Sequence, residues 1–313
     1  MVSGVPSVLV IGAGAIGAFY GAMLASRGAR VSVVCRSDFD VVSRDGYTIT
    51  SPMGDRIFRP VEVLHDASEC APPPDYLLLS VKVLDGVDRA ALIRAAVGPE
   101  TAIVLIENGI DIEAEISQAF PGNELISVLA YVGLARPAPG HIRHFANGYL
   151  VAGNYPSGVS PRTRELAALF EAAGITCTVA ENVVTARWHK SVWNAVFNPV
   201  SVLGGAMDVQ TMLTPPDGEA FIRQAMLEVC AVAAAYGHPL LPAVVDQFVE
   251  GTRKMGAYKT SMAQDYESGR PLEVEAILGN VVRAARRQTV ATPALDSLYA
   301  LMKMVQARQA NEK

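Results

Sequence analysis

Cysteine is scarce and scattered: four residues in 313, Cys35, Cys70, Cys177 and Cys230, with no CxxC pair among them. That excludes a disulfide-stapled scaffold and a thiolate zinc ribbon, and it suits reduced thiols in a cytosolic chain. Charge is also thin. Only 18% of residues are charged, and 26 basic against 31 acidic residues leave a net charge of −5, so nothing in the charge balance suggests an electrostatic grip on nucleic acid or anionic lipid. Long hydrophobic runs are missing as well. The longest uncharged stretch, Val8 to Ser26, is interrupted by a glycine turn, and no basic segment precedes it in the manner of a secretory leader. The expectation is a soluble cytoplasmic protein without a membrane or nucleic-acid partner. What is abundant is apolar residue: 50% of the chain is hydrophobic, enough to bury a large core, and the length suits two domains.

The chain is organised around Gly12-Ala13-Gly14-Ala15-Ile16-Gly17. The apolar run Val8-Leu9-Val10-Ile11 before it has the length and β-branched content of a fully buried parallel strand. An uncharged helix follows, ends at Ser26-Arg27-Gly28, and a second strand begins at Arg30. In such a β-turn-α-β unit Gly12 permits the tight turn, Gly14 lets a pyrophosphate approach the backbone, and Gly17 lets helix and strand lie close. The first helical N–H groups, from Ala15, Ile16 and Gly17, then face the phosphates with the positive end of the helix dipole. The unit reads as a dinucleotide site. At the end of its second strand, where an acidic residue would accept the ribose 2′-hydroxyl of NAD, stands Arg36, followed by Ser37. A guanidinium can instead pair with a 2′-phosphate, which favours NADP(H); the alternative is an ordinary solvated arginine.

Further along, a Pro-rich lead-in precedes the buried strand Asp75 to Val81 and then Lys82. A lysine at the carboxyl end of a parallel strand would contact cofactor phosphates, ribose or a substrate carboxylate, or simply be solvated. The strand Thr101 to Ile106 delivers Glu107-Asn108-Gly109 to the same edge. Asn108 has donor and acceptor atoms suited to cofactor or substrate, and Asn-Gly is equally a common turn. His141 and His144 stand out of phase on a strand with no third ligand nearby, so no metal site is read from them.

From Val183 onward the pattern is helical throughout. The fold class is therefore α/β: an N-terminal Rossmann-type doubly wound sheet over residues 1–182 and a C-terminal all-helical domain over 183–313, with substrate expected in the cleft between them. Within the helical part, Lys190, Asn194 and Asn198 are spaced four apart and form one row drifting about 40° per step. Asparagine is a poor helix former, so a polar row on an otherwise apolar helix points to substrate contacts or to an internal hydrogen-bond network. Pro271 suits a first helical turn and would place Glu273 near a helix N-terminus, where a stabilising role is as natural as a chemical one. Segments such as Pro216 to Tyr236 fit either burial within the chain or the face of a homodimer.

Together the glycine turn with Arg36, Val81-Lys82, Asn108-Gly109, Trp188 through Pro199, and Ser261-Met262-Ala263-Gln264-Asp265 followed by Glu273 resemble the ketopantoate reductase family along essentially the whole chain. The resemblance implies NADPH-dependent reduction of a small-molecule 2-keto acid, ketopantoate to pantoate in the type reaction of pantothenate synthesis. It implies Lys190 as general acid and Glu273 as its orienting partner. It further implies Asn194, Asn198 and Ser261 as substrate contacts, with Lys82 and Asn108 lining the cofactor and substrate cleft. The sequence departs from the family pattern at Asp85, Glu107 and Asp208, where added carboxylates would disfavour a nearby anion and put the particular keto acid in question. Two other functions stay open: reduction of another branched 2-keto or β-hydroxy acid, and a non-catalytic NADP(H) sensor.

Overall fold

The computed structural model describes residues 4–311, and the chain divides into two compact units. The first comprises Met1–Lys82, Asp88–Glu107 and Glu113–Val183; the second comprises Val83–Val87, Asn108–Ile112 and Val184–Lys313. Two short segments of the N-terminal half thus belong to the second unit.

In the first unit the chain runs β1 (Ser7–Ile11), α1 (Ala15–Ala25), β2 (Arg30–Val34), α2 (Phe39–Asp45), β3 (Tyr47–Thr50), β4 (Arg56–Phe58), β5 (Val63–Leu64) and β6 (Tyr76–Leu79). It continues through α3 (Arg89–Ile93), β7 (Ala102–Ile106), α4 (Ala114–Ala119), β8 (Leu125–Ala138), β9 (His141–Asn154), α5 (Pro161–Ala172) and β10 (Cys177–Val179). All ten strands form one sheet in the order β4-β3-β9-β8-β7-β6-β1-β2-β5, with β10 beside β9. From β5 to β8 every pairing is parallel. The alternation of side chains explains why helices cover both faces. Val8, Val10, Leu78 and Val104 pack with Phe19, Tyr20 and Met23 of α1 and Phe170 of α5. Leu9, Ile11, Leu77, Leu79, Ile103 and Leu105 pack on the other face with Ile93 of α3 and Ile116 of α4. This is a doubly wound sheet, and β1 lies between β2 and β6 at the point where the strand order reverses, so its carboxyl end is the place for a ligand.

Two local features shape this unit. α3 starts at Arg89, where the Asp88 carboxylate accepts the Ala91 N–H at 2.8 Å and caps it. β8 and β9 form a 14-residue antiparallel pair that absorbs Arg136-Pro137-Ala138 through register shifts and turns at Gly140, φ 69°.

The second unit contains no strand among its described residues: α6 (Val183–Leu203), α7 (Val209–Leu213), α8 (Pro216–Ala235), α9 (Val244–Arg253), α10 (Ser261–Glu267), a π-helical turn (Glu275–Gly279), α11 (Asn280–Arg287) and α12 (Pro293–Asn311). Trp188, Val192, Ala195 and Val196 of α6 follow the i, i+4, i+7, i+8 spacing of a buried face and pack with Ile222 and Val229 of α8 and Leu298 and Met302 of α12. Ile110 joins this core, which anchors the segment 108–112 here. Pro271 lies outside any helix, contrary to the expected first-turn position; the helix begins at Val274, so Glu273 immediately precedes it. No helix among the described residues is long and apolar enough to cross a membrane.

Candidate active site

The glycine turn divides its labour sharply. A Cβ at Gly12, whose φ is +87°, would lie 2.7 Å from Val81 Cγ1 and 2.8 Å from Val81 N; at Gly17 it would lie 2.4 Å from Ser80 Oγ and 2.7 Å from Gly12 O. Those two positions are closed by the protein itself. At Gly14 the nearest atom is 4.0 Å away, so the turn leaves open space where only a ligand would require glycine. No side chain caps α1 at Gly14, which leaves its first-turn N–H groups, those of Ala15, Ile16 and Gly17, without a side-chain acceptor. An open cradle over helical N–H groups that no side chain caps among the described residues fits a pyrophosphate.

Arg36 is exposed just past β2, and its side chain makes no hydrogen bond or ion pair among the described residues, although its carbonyl accepts the Phe39 N–H at 3.4 Å. Ser37 Oγ donates to Asp38 Oδ1 at 2.9 Å, and Asp38, only 2% exposed, also accepts the Gly140 N–H at 3.1 Å and pairs with Arg136. Burial pushes its carboxyl up, but the Gly140 N–H, Arg136 and Ser37 together outweigh it and hold Asp38 below the usual carboxylate range. The buried acid that follows β2 is therefore already committed. Lys82 sits half-buried in the segment that follows β6.

In the second unit the chemistry gathers on one face of α6. Lys190 Nζ donates to Asn108 Oδ1 at 2.8 Å, and Arg187, one turn earlier, donates to the Gly109 carbonyl at 3.1 Å. Asn108-Gly109 is a turn with a purpose: Gly109 has φ +109°, and a Cβ there would stand 2.5 Å from the Ala276 carbonyl. Ala276 O accepts the Ile110 N–H at 3.3 Å and Asn280 Nδ2 donates to Ile110 O at 2.7 Å, so the π-helical turn and α11 clamp the segment that carries Asn108. Desolvation, followed by the Arg187 guanidinium, pushes the Lys190 ammonium down to about 7, against a smaller opposing pull from Glu273. A lysine so placed exchanges a proton near neutrality.

The remaining row residues divide. Asn194 is half-buried with no side-chain hydrogen bond among the described residues. Asn198, 1% exposed, donates from Nδ2 to the Asn194 carbonyl at 3.1 Å and accepts the Met262 N–H at 3.3 Å. Its amide therefore holds the start of α10, where Ser261 occupies the first position and remains exposed. Glu273 Oε1 accepts the Val83 N–H at 3.0 Å, which ties down the segment 83–87. Of the three departures from the family pattern, Asp208 caps α7 through Thr211 at 2.9 Å, and Glu107 pairs in the first unit with Arg89 at 2.7 Å. Asp208 is thus engaged as a helix cap and Glu107 in an ion pair, while Asp85 is exposed. His144 is buried against Ser51 Oγ at 2.9 Å, and no cluster among the described residues has the three acidic, histidine or cysteine groups a metal ion needs.

The bonds of Arg187, Asp38 and Arg136 were not legible in the sequence. Arg187 carried a signal, three residues before Lys190 on the same helical face. The contacts of Asp38 and Arg136 span 98 residues and left no local trace.

An open glycine cradle at the head of a parallel sheet in one unit and a depressed lysine on a polar helical face in the other define an NAD(P)-dependent oxidoreductase. Family profiles described as "Ketopantoate reductase PanE/ApbA" and "Ketopantoate reductase PanE/ApbA C terminal" match residues 8–157 and 182–306. The crystal structure of 2-dehydropantoate 2-reductase from Methylococcus capsulatus is similar with TM-score 0.91 and 54% identity, over 97% of each chain. That of 2-dehydropantoate 2-reductase from Geobacter metallireducens has TM-score 0.91 and 32% identity over 96% of this chain and 99% of that one. The 2-dehydropantoate 2-reductase of Nostoc sp. is 29% identical over 96% of this chain and 95% of its own. The chain belongs to the ketopantoate reductase family.

Proposed function

We propose that the protein reduces a 2-keto acid with NADPH, with ketopantoate, converted to pantoate, as the substrate. The observation that carries this reading is Lys190: an ammonium held by Asn108 and shifted to about 7 is a proton donor matched to neutral pH. Gly12, Gly14, Gly17, the N–H groups of Ala15 and Ile16, Arg36 and Lys82 hold the dinucleotide. When bound, a reduced nicotinamide supplies hydride to the carbonyl carbon. Negative charge then grows on the carbonyl oxygen, and Lys190 stabilises it and transfers a proton from Nζ to it. Asn108 fixes where Nζ lies, and Glu273 favours its charged form. Asn194 and Ser261 supply the free hydrogen-bonding groups for the acid, while Asn198 sets the position of α10 beside them. The preference for NADPH over NADH rests on Arg36 and on the engagement of Asp38. The four free thiols suit a reducing cytoplasm.

The test is NADPH oxidation followed against ketopantoate and a panel of other branched 2-keto acids. Fastest kcat/KM on ketopantoate is expected. A higher value on another acid would move the protein to a different substrate in the same chemistry, and cofactor binding without turnover on any of them would overturn the enzymatic reading.

A further inference from the structure

We propose that Arg136, on β8, is a second guanidinium for the 2′-phosphate of the bound dinucleotide and a determinant of cofactor choice; the proposal rests on the NADP(H) reading above. Arg136 Nη1 donates to Ser37 Oγ at 3.1 Å and pairs with Asp38, so its head group sits against the two residues that directly follow Arg36. Both contacts use the same nitrogen. Among the described residues Nη2 and Nε of Arg136 make no hydrogen bond, and the side chain keeps 31% of its exposure. A planar fork with one tine anchored and the other donors open is preorganised for a phosphate.

Asp38 explains why the arrangement discriminates. A free carboxylate two residues past Arg36 would accept a ribose hydroxyl and repel a phosphate, which is the NAD-type preference. Here its oxygens already take the Gly140 N–H, the Ser37 hydroxyl and Arg136. The end of β2 thus presents two guanidinium groups against one buried carboxylate. The same ion pair that silences the acid fixes the second arginine, so one contact serves both attraction of a 2′-phosphate and loss of the 2′-hydroxyl acceptor.

Calorimetric titration of the full chain with 2′,5′-ADP, NADPH and NADH tests this. Arg136→Gln should weaken 2′,5′-ADP and NADPH by roughly 10- to 100-fold and shift NADH by less than about twofold. Arg136→Lys, which keeps the charge beside Asp38 without the fork, should give an intermediate loss for 2′,5′-ADP; it decides the matter if the Gln variant does not fold. Equal losses for NADPH and NADH, or no loss for either, in the folded variant would overturn the role of Arg136. Arg36→Gln, run in parallel, separates the two layers: loss of NADPH preference there with none at Arg136 sinks only this proposal, whereas no preference in the parent protein sinks the NADP(H) reading itself.

Discussion

Lys190 Nζ and Asn108 Oδ1 lie 2.8 Å apart although 82 residues separate them in the chain. Their meeting depends on the segment 108–112 packing with the helical unit, where Arg187, Ala276 and Asn280 each hold its backbone. The amine is thereby fixed before any substrate arrives. Lys190→Ala should lower kcat by two or more orders of magnitude, as loss of a positioned acid does, while the Kd for NADPH stays within about twofold. A variant retaining near-normal turnover would remove Lys190 from the chemistry.

The depression of the Lys190 ammonium sets a pH dependence with a definite sign. Reduction needs the protonated amine, so kcat/KM should be full below about 7 and fall as pH rises through it. Arg187 is the charged neighbour that lowers this value. Arg187→Gln should move the break toward higher pH, whatever happens to the height of the profile through loss of its bond to Gly109. An unmoved break would show that burial alone sets the proton affinity.

Glu273 acts in the opposite direction, since its carboxylate favours the charged form of Lys190. Glu273→Gln keeps an acceptor for the Val83 N–H but removes the charge. The break should therefore shift to lower pH, with KM for the keto acid rising. A profile that shifts upward would contradict the assignment.

Gly12 and Gly14 have the same motif but different reasons, and alanine should separate them. Gly12→Ala puts a Cβ within 2.9 Å of Ser80 and Val81 backbone atoms at φ +87°, so it should unfold more easily, losing at least about 1 kcal/mol and several degrees of Tm. Gly14→Ala meets nothing nearer than 4.0 Å and has φ −76°, so Tm should hold while dinucleotide affinity drops. Equal effects on both measurements would erase the distinction between structural and ligand-facing glycine.

What the sequence made legible follows from the range of each interaction. The glycine turn, the buried strands on either side of it and the Lys190-Asn194-Asn198 row are patterns of neighbours, decided by periods of two and four residues. Which member of that row is open was not legible, because Asn198 is occupied by Met262, 64 residues on. The pairing of Glu107 was not legible for the same reason: as a bare carboxylate at a strand end it reads as a repulsive charge, and only the fold reveals Arg89 beside it. Helix starts set by a side-chain cap, as Asp88 sets that of α3, depend on which neighbouring carboxylate turns back onto the backbone, and the spacing of apolar residues does not show that.

That ion pair yields the last prediction. Arg89 and Glu107 are 2% and 6% exposed, and Arg89 also reaches Glu115 at 2.7 Å. Arg89→Met removes the guanidinium from a buried carboxylate, which should cost about 3–5 kcal/mol in a denaturant melt. Adding Glu107→Gln to that background removes the stranded charge and should recover much of the loss, because an uncharged amide is far less costly to bury. Since the carboxylate is already compensated in the parent protein, the rescued double variant should show an unchanged KM for the keto acid. A fall in KM on removing the Glu107 charge would instead reveal that it repels the anionic substrate.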